Sequence, residues 1–377
     1  MRSTWAVMLL CFVASCARDS APLNGVPVWT IDAKPLMEIS TDDSLETIGN
    51  VSGVARFADG HIAVGDQSNS TIKFYDANGK FIRNVGRAGS GPGEFGMLGA
   101  LLHCGDTLFA HDYSNGTFTL VSADAQFGRR VSIALPDSVK STNRTVCNGD
   151  GKFLTAGWDI QKQDMETPGP TRGPIPFWVS DASGKFAAAL GTHEGPEKWI
   201  SISGEGSFIG PRPLGKETVM ALGTTRAYIG TADSGLVNVY SVDGKALVPL
   251  QIATAVSQVT SADIEAFKMR DTIAMTANFR EWWISTMKQM KFPNTLPAYS
   301  ALLVDSDENV WVRSFPAAGA REVNWWVFSE GGAPVATMQL PSAFNVTEIG
   351  AGYIAGVDTN PATGKHSVLV MSWRRPK

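Results

Sequence analysis

Along most of the chain, apolar residues come in short runs that either alternate with polar residues or continue unbroken. Each run ends in Gly, Asn or Asp. Alternation at period two predicts strands with one covered face, and an unbroken apolar run predicts a strand covered on both. The clearest unit spans residues 53–86, where four such runs are joined by Asp59-Gly60, by residues 66–70 and by Asp76-Ala77-Asn78-Gly79. Gly and Asn tolerate the positive φ of a tight turn and Asp caps its own backbone, so these connections read as hairpins.

The unit recurs. It returns at 106–112 with 117–121, at 152–159 with 177–184, at 226–233 with 237–244, at 305–313 with 325–328, and at 352–358 with 367–372. The first steps are about 45 residues, the size of one propeller blade. A four-stranded blade cannot bury both of its faces alone, so the copies must stack in a ring and share their cores. Six copies predict an all-β fold, a six-bladed β-propeller over 28–377. The sixth copy is short of an outer strand. The apolar words Val28-Trp29-Thr30-Ile31 and Leu36-Met37-Glu38-Ile39 precede the first copy, so an N-terminal strand is expected to complete the last blade.

Two stretches break the rhythm. Residues 160–176 are rich in Gly, Pro and charge and read as a long exposed loop. Residues 261–293 read as a short helical insertion. Thr260 with Asp263 three residues on suits a helix start, and Phe279, Trp282, Trp283, Thr286, Met287 and Met290 follow a 3–4 spacing that Pro293 ends. That stripe either packs on the rim of the ring or forms a lid or partner-docking helix, in which case Trp282 and Trp283 are its most informative residues.

Certain words are more specific. Phe74-Tyr75-Asp76-Ala77-Asn78-Gly79-Lys80-Phe81-Ile82-Arg83 is one. Gly86-Arg87-Ala88-Gly89-Ser90-Gly91-Pro92-Gly93-Glu94-Phe95 is another, and Phe292-Pro293-Asn294-Thr295-Leu296-Pro297-Ala298-Tyr299 leading into residues 303–312 is a third. With these the chain resembles the NHL-repeat type of six-bladed propeller, and in particular the uncharacterised six-bladed propeller lipoproteins of bacteria. The resemblance covers nearly all of the chain after its first segment. It implies a fold and leaves the function open, because unrelated functions share propellers.

The N-terminus changes the picture of location. Arg2 is followed by an apolar stretch from Trp5 to Val13, too short to span a bilayer of about 30 Å. The stretch ends in Val13-Ala14-Ser15-Cys16, which resembles a bacterial lipobox. On that reading 1–15 is a lipoprotein signal peptide, Cys16 is the lipidated residue, and 16–27 carries the lipid and a linker. Ala17 in place of Asp favours outer-membrane sorting by the same resemblance. The expected location is the cell envelope, with membrane contact only through the N-terminal lipid and the chain a monomer. Formal net charge is −4 with no basic block, which argues against nucleic acid as a partner.

Two cysteines remain, Cys104 and Cys147, each just before a turn and one repeat apart. Export places them in an oxidising compartment. They are either a disulfide stapling neighbouring blades or two buried thiols.

Candidate chemistry is sparse. The glycines of 86–95 lead into a strand and no Gly-Lys-Ser/Thr follows, so the stretch is an inter-blade loop and not a phosphate cradle. Asp66, Asp112, Asp159, Asp233 and Asp358 all end the equivalent second strand. Five carboxylates at one level of a ring could converge on Ca²⁺, which takes six to eight oxygens. The local alternative is that each Asp accepts backbone N–H bonds in its own turn, repeating because the turn repeats. No His spacing fits zinc and no nucleophile elbow is present, so no catalytic residue is assigned. The expected function is an envelope-tethered binding or scaffold module for a protein, peptide or glycan partner. The alternative is a Ca²⁺-dependent hydrolase or lactonase working in the pore.

Overall fold

The computed structural model describes residues 23, 25–40, 47–137, 139–158, 167–203, 206–272, 277–360 and 362–376. Residues 1–22, with Cys16, and Asp159 lie outside them. Two N-terminal strands come first, β1 (Val28–Ile31) and β2 (Met37–Ser40). Blade 1 is β3 (Val51–Arg56), β4 (Ile62–Asp66), β5 (Thr71–Tyr75) and β6 (Phe81–Val85). Blade 2 is β7 (Leu98–Cys104), β8 (Thr107–Asp112), β9 (Thr117–Ser122) and β10 (Phe127–Ser132).

Blade 3 opens with β11 (Ser141–Cys147) and β12 (Phe153–Trp158). After the short β13 (Gly169–Thr171) it continues with β14 (Pro174–Ser180) and β15 (Phe186–Glu194). A hairpin of β16 (Lys198–Ser203) and β17 (Gly206–Pro211) follows and pairs with β13 as a separate three-stranded sheet. Blade 4 is β18 (Val219–Leu222), β19 (Arg226–Gly230), β20 (Leu236–Ser241) and β21 (Leu250–Gln251). Helices α1 (Ser261–Thr272) and α2 (Ala277–Gln289) separate it from blade 5, which is β22 (Tyr299–Val304), β23 (Val310–Ser314), β24 (Glu322–Phe328) and β25 (Pro334–Pro341). Blade 6 is β26 (Phe344–Gly350), β27 (Tyr353–Thr359) and β28 (His366–Arg374), with β2 as its outer strand.

The fold is a six-bladed β-propeller, and its packing shows why six blades close. Six hydrophobic clusters lie one between each pair of neighbouring blades. The ring closes where Met37 and Ile39 of β2 pack with Val368 and Val370 of blade 6 against Val54, Ile62 and Val64 of blade 1. Strand β2 runs antiparallel to β28 from Met37↔Val370 to Ser40↔Ser367. Strand β1 adds a second clamp. It pairs in parallel with β25 of blade 5 and antiparallel with the end of β28. There Trp29 stacks on Trp373 with ring centroids 4.8 Å apart. Burying two or three such aromatic and aliphatic side chains contributes about 1.5–3 kcal/mol each, so the N-terminal strands are part of the ring's stability.

The insertions depart from the expectation in instructive ways. The stretch 160–176 is not all loop: Gly169–Thr171 is a strand, and Pro174 and Pro176 lie within β14. Proline is tolerated there because β12 pairs β14 only from Phe177 to Ser180, leaving the prolines on a free edge. The β16–β17 hairpin was not anticipated. The helical insertion is two helices, and the first starts as the sequence indicates. Asp263 N–H donates to Thr260 Oγ1 at 3.3 Å while Thr260 N–H donates to Asp263 Oδ2 at 2.8 Å, a reciprocal cap. Met287 and Met290, with Trp283 beside them, pack on Trp199 of β16. The helices therefore rest on the extra sheet, which stands on the sector of blades 3 and 4.

Candidate functional site

The first strand of each blade lines the central channel. The channel has an entry end, where these inner strands begin, and an exit end, where they finish. Five of the six inner strands carry a register shift, in β3, β7, β11, β22 and β26. Bulges bend a strand and re-aim its side chains, so the channel wall differs from blade to blade.

At the entry end, charged groups gather between blades 3 and 4. Arg144 follows the bulge in β11, an inner strand that reads Ser141-Thr142-Asn143-Arg144-Thr145 and is polar where the others are apolar. Arg144 is open to water yet walled by protein, and burial holds its guanidinium below the usual arginine range against the pull of Glu217 and Tyr113. Glu217 stands two residues before β18. Glu217 is exposed, yet the protein packed around it raises its carboxyl above the usual range, opposed by the charges of Arg144, Lys198 and Arg172.

Lys198 opens β16 and is only 8% exposed. Its Nζ lies 3.0 Å from the ring centroid of Trp158, the last residue of β12. Burial brings its pKa down to about 8, against the pull of Glu217. Tyr113, half-exposed, covers Gly99 of β7 so closely that a Cβ there would meet its ring at 2.6 Å. Among the described residues, the side chains of Arg144, Lys198 and Glu217 form no hydrogen bond and no ion pair within 4 Å.

Neighbouring charges are committed elsewhere. Arg172 donates to Gly195 O at 2.6 Å, Thr231 O at 3.0 Å and Asp233 Oδ1 at 2.6 Å. Glu197 takes Arg212 at 3.2 Å and Lys216 at 3.5 Å. Arg212 also donates to Lys291 O, and Lys216 to Thr295 Oγ1. These bonds hold the β16–β17 hairpin to the segment that leaves α2.

Toward the exit end the channel is cross-linked. Glu348 of β26 lies 2.9 Å from His103 Nδ1 of β7, accepts a bond from Arg56 N–H at 3.3 Å and another from the Tyr353 hydroxyl. Arg56 lies over the Tyr353 ring at 4.7 Å. Burial disfavours a charged His103, but the Glu348 bond and charge outweigh it and raise the imidazole pKa. One residue on, Cys104 is joined to Cys147 by a disulfide with Cα atoms 5.7 Å apart, tying the ends of inner strands β7 and β11.

The sequence-derived candidates fall into place separately. Asp66 accepts from Gly49 N–H at 3.2 Å and Asn69 Nδ2 at 2.7 Å. Asp112 accepts from the N–H groups of Gly96, Met97 and Ser114 and from Asn115 Nδ2, at 3.0–3.2 Å. Burial opposes its ionisation, yet those donors hold its pKa below the usual range. Asp233 is exposed and paired with Arg172. Asp358 lines an open cavity of about 430 Å³ on the outer side of blade 6, with Glu38, Asn360 and Lys365.

Asp66 and Asp112 thus serve their own turns and Asp233 a neighbouring arginine. Among the described residues no group of three or more His, Cys, Asp or Glu side chains is placed to hold a metal ion. In the fifth copy, Arg313 bridges Ser300 Oγ and Ser342 O instead. Trp283 is half-buried in the helix–sheet contact, and the side chain of Trp282 lies outside the described part of α2. Arg144, Lys198 and Glu217 were not among the sequence candidates.

Fold and site define a six-bladed propeller with an unpaired, charged entry mouth under an added sheet and helix pair. Residues 36–100 match the model of the family DUF5128, described as a 6-bladed beta-propeller. No curated protein matches the chain. Among solved structures the chain is similar to a protein from Bacteroides fragilis described as exported, at 14% identity over 95% of this chain and 97% of that one, with a TM-score of 0.47. It is similar to a member of the DUF4221 family from Bacteroides vulgatus, at 9% identity over 92% and 98%, with a TM-score of 0.49. It is also similar to the calcium-binding protein regucalcin from Agrobacterium tumefaciens, at 11% identity over 92% and 96%, with a TM-score of 0.41. No described helix is long and apolar enough to cross a membrane.

Proposed function

We propose that this protein is a binding module held at the cell envelope by a lipid on Cys16, and that a peptide or glycan partner enters the channel at its entry end. The observation that carries the reading is the trio Arg144, Lys198 and Glu217. Three ionisable groups share a water-accessible, protein-walled mouth, and none is satisfied by another side chain. For Lys198, only 8% exposed, holding that charge is unfavourable unless a ligand completes it, while Arg144 and Glu217 stand open to what enters. Tyr113 and the edge of Trp158 add aromatic surface for a ligand to rest on. Of the Asp series, Asp66 and Asp112 already use their oxygens on turn donors, which supports the local reading for those two.

The test uses full-length protein purified in detergent and melted in the presence of soluble envelope fragments, cell-wall peptides and oligosaccharides in separate arms. At least one fraction should raise the melting temperature of the wild type and fail to do so for Arg144→Glu, whose unliganded melting stays close to wild type. A fraction that stabilises both proteins equally places binding elsewhere. Calcium-dependent turnover of an ester or lactone panel would replace the reading with hydrolysis in the pore.

A further inference from the structure

We infer that the outer rim of blades 4 and 5 lies against the lipid surface that holds the N-terminal acyl chains, so that the ring stands on edge with both channel ends opening sideways. This rests on the Cys16 anchor in the reading above and adds a contact between the propeller itself and the membrane. Residues 246–256, which include β21, the outermost strand of blade 4, contain no charged side chain. Ala246, Pro249, Ala253 and Ala255 are exposed there. Val248 is 87% exposed, more than any other large apolar residue among those described. Residues 333–341, with the outer strand β25 of blade 5, and residues 25–31, with β1 paired to it, are also free of charge. Elsewhere the outer strands carry exposed charges: Arg83 on β6, Arg129 and Arg130 on β10, Glu194 on β15 and Glu38 on β2. Apolar groups gain by leaving water and charged ones resist it, so two blades of the six are suited to lie on lipid.

The tether reaches the fold at the same rim. Leu23 packs on the core cluster between blades 4 and 5, which also takes Leu247 from the uncharged segment. Four residues on, Pro27 O accepts from Thr337 N–H of β25 at 3.0 Å. Six residues separate Cys16 from Leu23, and fully extended they span at most about 25 Å. A domain of this length has a radius of gyration of about 20 Å and a breadth of about 50 Å. The opposite rim, at blades 1 and 2, is therefore beyond the tether's reach. The two flat ends of the ring are charged, with Arg144 and Glu217 at the entry and turn aspartates such as Asp76 and Asp181 at the exit. Reach and charge together leave the rim of blades 4 and 5, and Asp243 and Lys245 mark where it gives way to the exit end. A partner would then meet the entry mouth from along the membrane surface.

The experiment places the full-length protein, as exported and processed by the cell, in vesicles of phosphatidylethanolamine and phosphatidylglycerol, with or without lipids that carry a spin-label quencher near the head group. A fluorophore is attached in turn to Val248→Cys, Ala253→Cys and Ile82→Cys, the last on the outer strand of blade 1 across the ring. Cys104 and Cys147 are bonded to each other and take no label. The first two labels should lose most of their fluorescence to the lipid quencher, and the third should keep its intensity. Val248→Glu combined with Ala253→Cys should restore the fluorescence of that label while the protein stays with the vesicles. Equal quenching at all three sites, no quenching at the first two, or quenching that ignores Val248→Glu would overturn the contact. Labels shielded from water but untouched by the lipid quencher would assign the rim to a protein partner and overturn it as well. The mass of the N-terminal peptide separates this inference from the reading it rests on. Without acyl chains on Cys16 the tether and the contact fall together, whereas acylated protein with unquenched labels keeps the tether and loses only the contact.

Discussion

The disulfide between Cys104 and Cys147 closes a loop with a sequence separation of 43 residues. That loop contains the three outer strands of blade 2 and the inner strand of blade 3. In the chain-entropy account a cross-link of this length removes about 13 cal/mol/K from the unfolded chain, or about 4 kcal/mol at 25 °C. The two half-cystines also belong to the core shared by blades 2 and 3, together with Phe109, Phe118, Phe153 and Trp178. Reduction leaves that packing in place, so its effect should be carried by the unfolded state. Urea unfolding followed by tryptophan fluorescence, with and without reductant, reads the difference. At a slope of about 3 kcal/mol/M, 4 kcal/mol is a drop of about 1.3 M in the midpoint. Cys104→Ala with Cys147→Ala should show the same drop in the absence of reductant and no further change in its presence. A midpoint that stays put on full reduction would refute the reasoning.

Three further outcomes follow from groups in the channel and its turns. Asp112→Asn turns an acceptor-only group that takes four donors into one with a single acceptor oxygen, and should cost about 2–4 kcal/mol in urea unfolding. Because its folded pKa is depressed, the stability it contributes is present above the ordinary Asp value of 3.8 and is lost as the pH falls through the folded value. His103 has the opposite sign. Its raised pKa contributes stability that is complete below the ordinary imidazole value of 6.5 and is lost as the pH rises through the folded value, so His103→Gln should flatten the pH dependence of unfolding on the alkaline side of 6.5. Lys198→Met should raise the melting temperature of the unliganded protein at pH 7 by removing an uncompensated buried charge. The wild type alone should gain stability as the pH climbs from about 8 toward 10.5, where the unfolded lysine still holds its proton and the folded one has released it.

The blades were legible because their signals are local. Each hairpin turn is written in its own residues. Asp76 accepts from Asn78 and Lys80 N–H, and Asp181 accepts from Ser183 and Lys185 N–H, in the same i+2 and i+4 pattern. The closure by Met37 and Ile39 could be inferred because the last copy was one strand short of the four that the other blades carry. The β16–β17 hairpin was missed for the opposite reason. It belongs to no repeat, and its partner β13 lies inside a stretch whose glycines and prolines read as loop. The site was missed because its members are far apart in sequence and ordinary one by one. Arg144, Lys198 and Glu217 come from three different elements, and no spacing rule joins them. One signal was available: the inner strand of blade 3 is polar over Ser141-Thr142-Asn143-Arg144-Thr145 where the other inner strands are mostly apolar. A strand at the centre of a ring that gives up apolar packing is a strand facing something polar.

The two ends of the channel differ in a way that bears on how such a module works. Toward the exit end, Glu348 gathers His103, Tyr353 and the Arg56 backbone from three successive blades, and the disulfide adds a fourth inner strand to that group. Of the buried polar atoms in that group, His103 Nε2 is the one without a partner among the described residues. At the entry end the sheet of β13, β16 and β17 and the helices α1 and α2 have been added over one sector, and they bring Lys198 to Trp158 while leaving Arg144 and Glu217 unpaired. A site that holds unpaired charges loses stability unless the scaffold beneath it is fixed. The cross-linked end supplies that fixity to the inner strands of blades 1, 2, 3 and 6. Arg144 sits on one of those strands, four residues along it from the half-cystine Cys147's neighbour Asn148 and three from Cys147 itself, so the staple that holds β11 at one end also limits where the guanidinium at its middle can stand.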